Sequence, residues 1–249
     1  MLPADFYLRQ DVFELDLDVL FRRQWLFVGV AADVPEPGDA LTVDIGNASV
    51  ILARDDDDQI RAFRNVCRHR GARLLEAGPA TIGKLVCPYH QWTYELTGEL
   101  IDAKHMGKDF DRSCHGLLPV HLRTVSGFVF ICLADEAPAD IDELARVMEP
   151  RLAPYDLTNT KVVFEQSIVE EGNWKLTMEN NRECYHCAGS HPELTSSFIA
   201  ADFGFNPDEL DEEEAEEVTA HLARRQVKFA DWEAQGFASC PIEHLSGGD

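Results

Sequence analysis

Residues 64–74 read RNVCRHRGARL and residues 85–94 read LVCPYHQWTY, so Cys67, His69, Cys87 and His90 follow one another in the pattern C-x-H-x17-C-x-x-H. Two thiolates and two imidazoles split between two short loops suit a two-iron cluster, with both cysteines on one iron and both histidines on the other. Histidine ligation raises the reduction potential of such a cluster above that of an all-cysteine one. The same four donors also suit tetrahedral zinc. Zinc sites of this composition usually group the cysteines in one hairpin and the histidines on one helix. Here each half supplies one of each, which favours the cluster and an electron-handling protein.

A second constellation lies in WKLTMENNRECYHCAGSHPEL, residues 174–194. From Trp174 to Tyr185 the stretch has few β-branched residues and no glycine or proline, which predicts a helix. On that helix Glu183 and His186 stand about 60° apart and share a face. His186 and His191 would be about 140° apart if the helix continued. Gly189 and Pro192 predict instead that it ends near Gly189, freeing the chain to return His191 towards His186. Two neutral imidazoles with one carboxylate make the facial triad that holds non-haem Fe(II) and leaves positions open for oxygen. Cys184 and Cys187 also spell C-x-x-C, a zinc or redox spacing, although no second pair accompanies them.

The runs between these motifs predict the organisation. Residues 5–27 read as mainly helical. From about 38 to 135, short β-rich runs dominate: ALTVDI, SVILARD, IRAFRNV, LVCPYHQWTYEL and GFVFICLA, punctuated by turns such as PGD, DIGN and LTGE; that pattern predicts a small antiparallel sheet domain. EAPADIDELARVMEP resembles a helix, and KVVFEQSIVEEG (161–172) the first strand of a second domain. Residues 207–235 predict a long acidic helix, with Leu210, Val218, Leu222 and Trp232 among its apolar positions.

With 249 residues the chain can bury one large or two modest cores. Its net charge of −23 argues against nucleic-acid binding and for solubility. The seven cysteines include two cluster ligands; the other five are scattered and odd in number, which fits a reducing, cytoplasmic compartment. No apolar run approaches the length of a membrane span, and MLPADFYLRQ does not read as a signal peptide.

The CRHRG and CPYHQW loops, with ENNRECYHC and SHPEL after them, resemble the large (α) subunit of Rieske non-haem iron oxygenases, the ring-hydroxylating oxygenase superfamily. The likeness runs from FRRQWLFVG (21–29) to EHL (243–245). Within the family, ENNRECYHC followed by SHPEL is most similar to the branch acting on quaternary ammonium compounds: glycine betaine monooxygenase, stachydrine demethylase, carnitine monooxygenase and choline monooxygenase. The resemblance implies an α+β fold: an N-terminal mainly helical segment (1–37), an antiparallel β Rieske [2Fe-2S] domain (38–135), a linker with a helix (136–160), and the first part of a helix-grip-like (START-like) catalytic non-haem iron domain (161–249).

Carried over residue by residue, Cys67, His69, Cys87 and His90 become the cluster ligands, and His186 and His191 two ligands of a mononuclear Fe(II). Glu183 takes the place of the carboxylate that, in the family, bridges a Rieske histidine to an iron-ligand histidine of the next subunit. The implied electron path is His90–Glu183–His186; Asn180, one turn before Glu183, is a candidate neighbour of the iron. Gln91 stands where many relatives have glycine. The family's third iron ligand is an aspartate expected beyond residue 249. Asp202, Asp208, Asp231 and Asp249 do not sit in such a context, so the chain is expected to be an incomplete portion of an oxygenase subunit.

The implied reaction is NAD(P)H- and O2-dependent, with electrons from a separate flavin/iron–sulfur reductase. Hydroxylation of an N-methyl group of glycine betaine or stachydrine would give a hemiaminal that sheds formaldehyde. Aromatic faces would recognise the ammonium; Tyr185, Phe198, Phe203 and Phe205 lie nearest the iron motif in sequence. The implied partners are the reductase, the small-molecule substrate and further copies in an α3 homotrimer, with no nucleic acid and no membrane. The alternatives are an aromatic-ring-hydroxylating dioxygenase α subunit, a Rieske electron-transfer module without catalysis, and a zinc-stabilised binding domain.

Overall fold

The computed structural model describes residues 2–182, 186–195 and 210–236. Two compact units result, Gln10–Gln166 and a discontinuous one made of Met1–Arg9 with Ser167–Asp249. The short helix α1 (Asp5–Leu8) belongs to the discontinuous unit. In the other, α2 (Gln10–Asp16) runs into a π-helical turn at Leu17–Phe21.

Helix gives way to strand earlier than residues 5–27 predict. Leu26–Val30 is a strand, β1, paired antiparallel with β10 (Phe128–Cys132). Phe27 packs edge-on against Phe128 and Phe130, with ring centroids at 5.5 and 5.8 Å. These aromatic contacts between paired strands hold the segment extended, and neighbours in sequence cannot report them. β9 (His121–Val125) completes this sheet in the order β1-β10-β9.

A four-stranded antiparallel sheet has the order β4-β3-β2-β5, built from β2 (Asp39–Ile45), β3 (Ala48–Arg54), β4 (Ile60–Arg64) and β5 (Gly78–Thr81). β3 is one of its two inner strands and is covered on both faces, which explains its unbroken apolar run. Ile51 and Ala53 enter the core that contains Cys67, Cys87 and Trp92, while Val50 and Leu52 pack with Val129 and Ile131.

The third sheet, β6 (Leu85–Val86), β7 (Thr93–Tyr94) and β8 (Leu100–Asp102), frames the second metal-motif loop. Gly98 closes the turn after it at φ +89°, with the Phe63 ring where a Cβ would stand. Helix α3 (Asp140–Leu152) covers the first sheet: Ile141 and Ala145 pack on Val125, and the Trp25 indole N–H donates to the Pro138 carbonyl at 2.7 Å.

In the discontinuous unit the described elements are helical: α4 (Trp174–Arg182), α5 (Cys187–Ser190), α6 (Pro192–Thr195) and α7 (Glu212–Ala234). Asp211 caps α7, accepting from the Glu214 N–H while the Glu214 carboxylate accepts from its own. Val218 is buried, whereas Leu222 and Trp232 stay exposed. The strand expected at 161–172 is absent: Val163, Phe164, Ile168 and Val169 are exposed, and the segment carries no regular structure. A strand needs a ladder partner for its N–H and C=O groups, and no described residue supplies one. No helix among the described residues is long and apolar enough to cross a membrane.

Candidate metal centre

The two motif loops are built alike. The Cys67 N–H donates to Ala72 C=O and Cys67 C=O accepts from the Gly71 N–H; the Cys87 N–H donates to Trp92 C=O and Cys87 C=O accepts from the Gln91 N–H, all at 2.8–3.0 Å. Each loop needs a left-handed residue four places after its cysteine. Gly71 supplies it at φ +75° and Gln91 at φ +61°.

Both loops sit over one core, with Cys67 and Cys87 buried as free thiols. Burial pushes the Cys67 thiol up and the nearby Cys87 adds to this, while hydrogen bonds from Tyr94 and from the His69 backbone pull it down. The Tyr94 hydroxyl lies 3.3 Å from the Cys67 sulfur and accepts the Arg68 N–H at 3.0 Å. Burial, then this sulfur contact, drives the phenol far above its usual range.

The imidazoles of His69 and His90 approach with ring centroids 4.6 Å apart, and Trp92 stacks on His69 at 4.8 Å and 8°. Burial, then the neighbouring His90 and Arg70, lowers the His69 pKa and favours a neutral ring with a free lone pair. The Nδ1 atoms of both histidines are buried and have no hydrogen-bond partner. A buried polar atom without a partner is costly, and two side by side, beside two buried thiols, fit a group that binds all four.

With Nδ1 turned inward, the outer edges of both imidazoles face a depression of about 420 Å³ rimmed by Arg70, Tyr89, Gln91, Lys104, His105 and Met106. Among the described residues no acid lines it, although the chain carries twice as many acids as bases.

Asn65, Trp92 and Tyr94 were not singled out as site residues by sequence reasoning. The buried Asn65 amide donates to Leu75 C=O and Ser49 Oγ and accepts from the N–H groups of Leu74 and Leu75, bracing the first loop. Its only signal is a polar residue two places before the first cysteine. Trp92 and Tyr94 lie inside the quoted motif, but their roles arise from contacts across loops.

In the second motif α4 is Trp174–Arg182 among the described residues, and α5 and α6 flank His191. His186 and His191 come together with ring centroids 5.5 Å apart at 81°, and the Asn180 amide lies 3.2 Å from His186 Nδ1. Glu183, Tyr185, Phe198, Phe203 and Phe205 lie outside the described residues, as do Asp202, Asp208 and Asp249. Residues 2–9 anchor α4: the Tyr7 hydroxyl donates to Glu179, Asn173 to Tyr7 C=O and the Lys175 ammonium to Phe6 C=O.

Comparison with known proteins agrees with this division of motifs. Residues 24–125 match the Rieske [2Fe-2S] domain, and residues 157–245 match the ring hydroxylating alpha subunit catalytic domain. The glycine betaine monooxygenase oxygenase subunit of Chromohalobacter salexigens is 48% identical over 94% of this chain and 51% of its own length. The carnitine monooxygenase oxygenase subunit of Escherichia coli K12 is 34% identical over 79% of the chain and 53% of its own. Among solved structures, a quaternary ammonium Rieske monooxygenase in complex with L-carnitine superposes with a TM-score of 0.70 at 30% identity, covering 78% of this chain and 56% of that one. The chain spans about half the length of the curated relatives it matches. Cluster-type loops followed by a two-histidine helical motif, matched in that order by both domain families, make this chain a member of the Rieske non-haem iron oxygenase family, on the side of its α subunits.

Proposed function

We propose that the chain acts in the oxygenase component of a Rieske monooxygenase that N-demethylates a quaternary ammonium compound such as glycine betaine. The observation that carries this reading is the pairing of two buried thiols with two orphaned Nδ1 atoms, on a chain that also joins His186 to His191. The 48% identity to a glycine betaine monooxygenase oxygenase subunit supports the substrate class.

In this reading Cys67 and Cys87 hold one iron of a [2Fe-2S] cluster through sulfur, and His69 and His90 the other through Nδ1. His186 and His191 hold two positions of a mononuclear Fe(II), whose third protein ligand, an aspartate by resemblance, lies outside the residues described. When bound, the cluster supplies one-electron transfer and the ferrous ion an oxygen-activating site. The protein's own part is positional. Each cluster histidine, bound through Nδ1, keeps its proton on Nε2 and turns it towards the depression above the two rings.

A carboxylate there accepts that N–H, and Glu183 of a neighbouring subunit in an α3 trimer is our assignment. Its second oxygen accepts from His186, so one side chain fixes two ligands and couples them. The cationic rim of Arg70 and Lys104 favours the approach of an acidic neighbour. A flavin/iron–sulfur reductase fed by NAD(P)H is the proposed electron source. A cytoplasmic location suits thiol ligands that must stay reduced to bind metal.

EPR with metal analysis on anaerobic, dithionite-reduced protein tests the reading. A Rieske-type signal with two irons per chain is expected, and stoichiometric zinc with no signal would overturn it. Formaldehyde release from glycine betaine, with a reductase supplied, tests the substrate class.

A further inference from the structure

We propose that Asn180 is a positioning residue for His186: its side-chain amide holds Nδ1, so that Nε2 is the nitrogen presented to iron. The inference rests on the reading of His186 and His191 as iron ligands, and goes beyond it by assigning the atom that binds and the residue that selects it.

The amide nitrogen Nδ2 stands 3.2 Å from His186 Nδ1. A neutral imidazole ligates through one nitrogen and carries its proton on the other, and the partner of that second nitrogen decides which is which. A side-chain amide offers an oxygen or an NH2 group by a half-turn about its last bond. With Nδ2 towards the ring Asn180 would donate to Nδ1 and leave the proton on Nε2. The proposed arrangement is the half-turned amide, in which Oδ1 replaces Nδ2, accepts the Nδ1 proton and leaves the Nε2 lone pair for the metal.

Asn180 is well placed for this because its helix is anchored from outside the motif. The Tyr7 hydroxyl accepts the Leu2 N–H and donates to Glu179, the residue beside Asn180. Asn173 and Lys175 bind the carbonyls of Tyr7 and Phe6, and Lys175 is 9% exposed. Residues 2–9 thereby hold the start of α4 and, through Glu179, the turn that carries Asn180. The proposed Glu183 bridge needs the same imidazole N–H. Asn180 is thus the neutral one of two proposed acceptors for that proton.

The test compares the full chain with its Asn180→Asp and Asn180→Leu variants, labelled with 15N-histidine. Long-range 15N–1H spectra report the His186 tautomer, anaerobic Fe(II) titration reports affinity, and the cluster EPR signal serves as a control for folding. Aspartate keeps an acceptor and removes the donor, so it should retain the Nδ1–H tautomer and Fe(II) affinity. Leucine should lose the tautomer and weaken Fe(II) binding by about 10- to 100-fold, with the EPR signal unchanged in all three proteins. Unchanged tautomer and affinity in Asn180→Leu would overturn the proposal, as would loss of both in Asn180→Asp. If the unaltered chain bound no Fe(II), two histidines without the third ligand would not suffice to hold it, and the tautomer comparison alone would decide whether Asn180 orients the ring.

Discussion

The Tyr94 hydroxyl directs its proton at the Cys67 sulfur. The Arg68 amide, 3.0 Å away, can only donate, so the phenol oxygen accepts from it and the phenol proton is left for the sulfur at 3.3 Å. A hydrogen bond to a cluster sulfur stabilises the reduced, more negative state and raises the potential.

Tyr94→Phe keeps the buried ring and removes only this bond. A hydrogen bond to a charged group is worth about 1.5–3 kcal/mol, and 59 mV corresponds to a tenfold change for one electron. Part of the bond persists in the oxidised state, so the potential should fall by some tens of millivolts, up to about 100 mV. An EPR-monitored redox titration reads this directly; an unmoved potential would show that the hydroxyl does not tune the cluster.

Gln91 occupies a left-handed position at φ +61° that its counterpart Gly71 occupies at φ +75°. A non-glycine residue there costs roughly 1–2 kcal/mol, partly offset by the greater freedom glycine has in the unfolded chain. Gln91→Gly should therefore stabilise the protein by up to about 1 kcal/mol, or roughly 2–4 °C in Tm. Gly71→Gln should do the reverse, and for conformational reasons alone, since a Cβ at Gly71 meets nothing within 4 Å. Thermal unfolding of the cluster-loaded variants checks both signs.

Asp55 is the buried carboxylate whose titration should show in stability. It is 1% exposed; it accepts from the Asp57 and Gln59 N–H groups at 3.0 and 2.8 Å and pairs with Arg61 at 2.7 Å. Burial pushes its pKa up, but the bonds from Gln59, Arg61 and Asp57 and the Arg61 charge outweigh that and hold it below the ordinary value. A carboxylate depressed in the folded state adds stability that is fully present above its unfolded pKa of about 3.9. That contribution fades as pH falls through the folded value. Asp55→Asn should be less stable than the parent at pH 7, and the gap should narrow below about pH 4. Denaturant midpoints across that range decide it, and a gap independent of pH would assign the loss to packing.

The two Cys/His motifs were legible in the sequence because the spacing of candidate donors within a short loop is a local property. Cys67, His69, Cys87 and His90 meet as two loops with matching backbone hydrogen bonds. The break expected near Gly189 falls at the end of α5, where His191 turns back to His186. The central strands were legible from apolar runs such as that of β3. What stayed hidden depends on distant partners: β1 is a strand because β10, about a hundred residues on, pairs with it. Residues 161–172 have strand-like composition and no described strand beside them. Likewise, nothing near Asn65 in sequence says that its amide will satisfy Leu74 and Leu75.

Glu183 carries the last prediction. The depression over His69 and His90 has two outward imidazole edges, a cationic rim and, among the described residues, no acid, so a carboxylate acceptor for an Nε2–H there would come from elsewhere. A carboxylate can accept from two imidazoles at once. The glutamine of Glu183→Gln accepts through one oxygen and turns an NH2 group, itself a donor, to the second ring. Made in a chain that also carries the third iron ligand, the variant should bind both metals, and its cluster should be reduced by dithionite as readily as the parent's. Electron delivery to the iron site should fall by about 10- to 100-fold or more. Single-turnover reoxidation of the cluster with oxygen and glycine betaine measures that step apart from reductase docking. Reoxidation at the parental rate in Glu183→Gln would remove Glu183 from the path and leave direct contact between His90 and the neighbour's His186 as the route to consider.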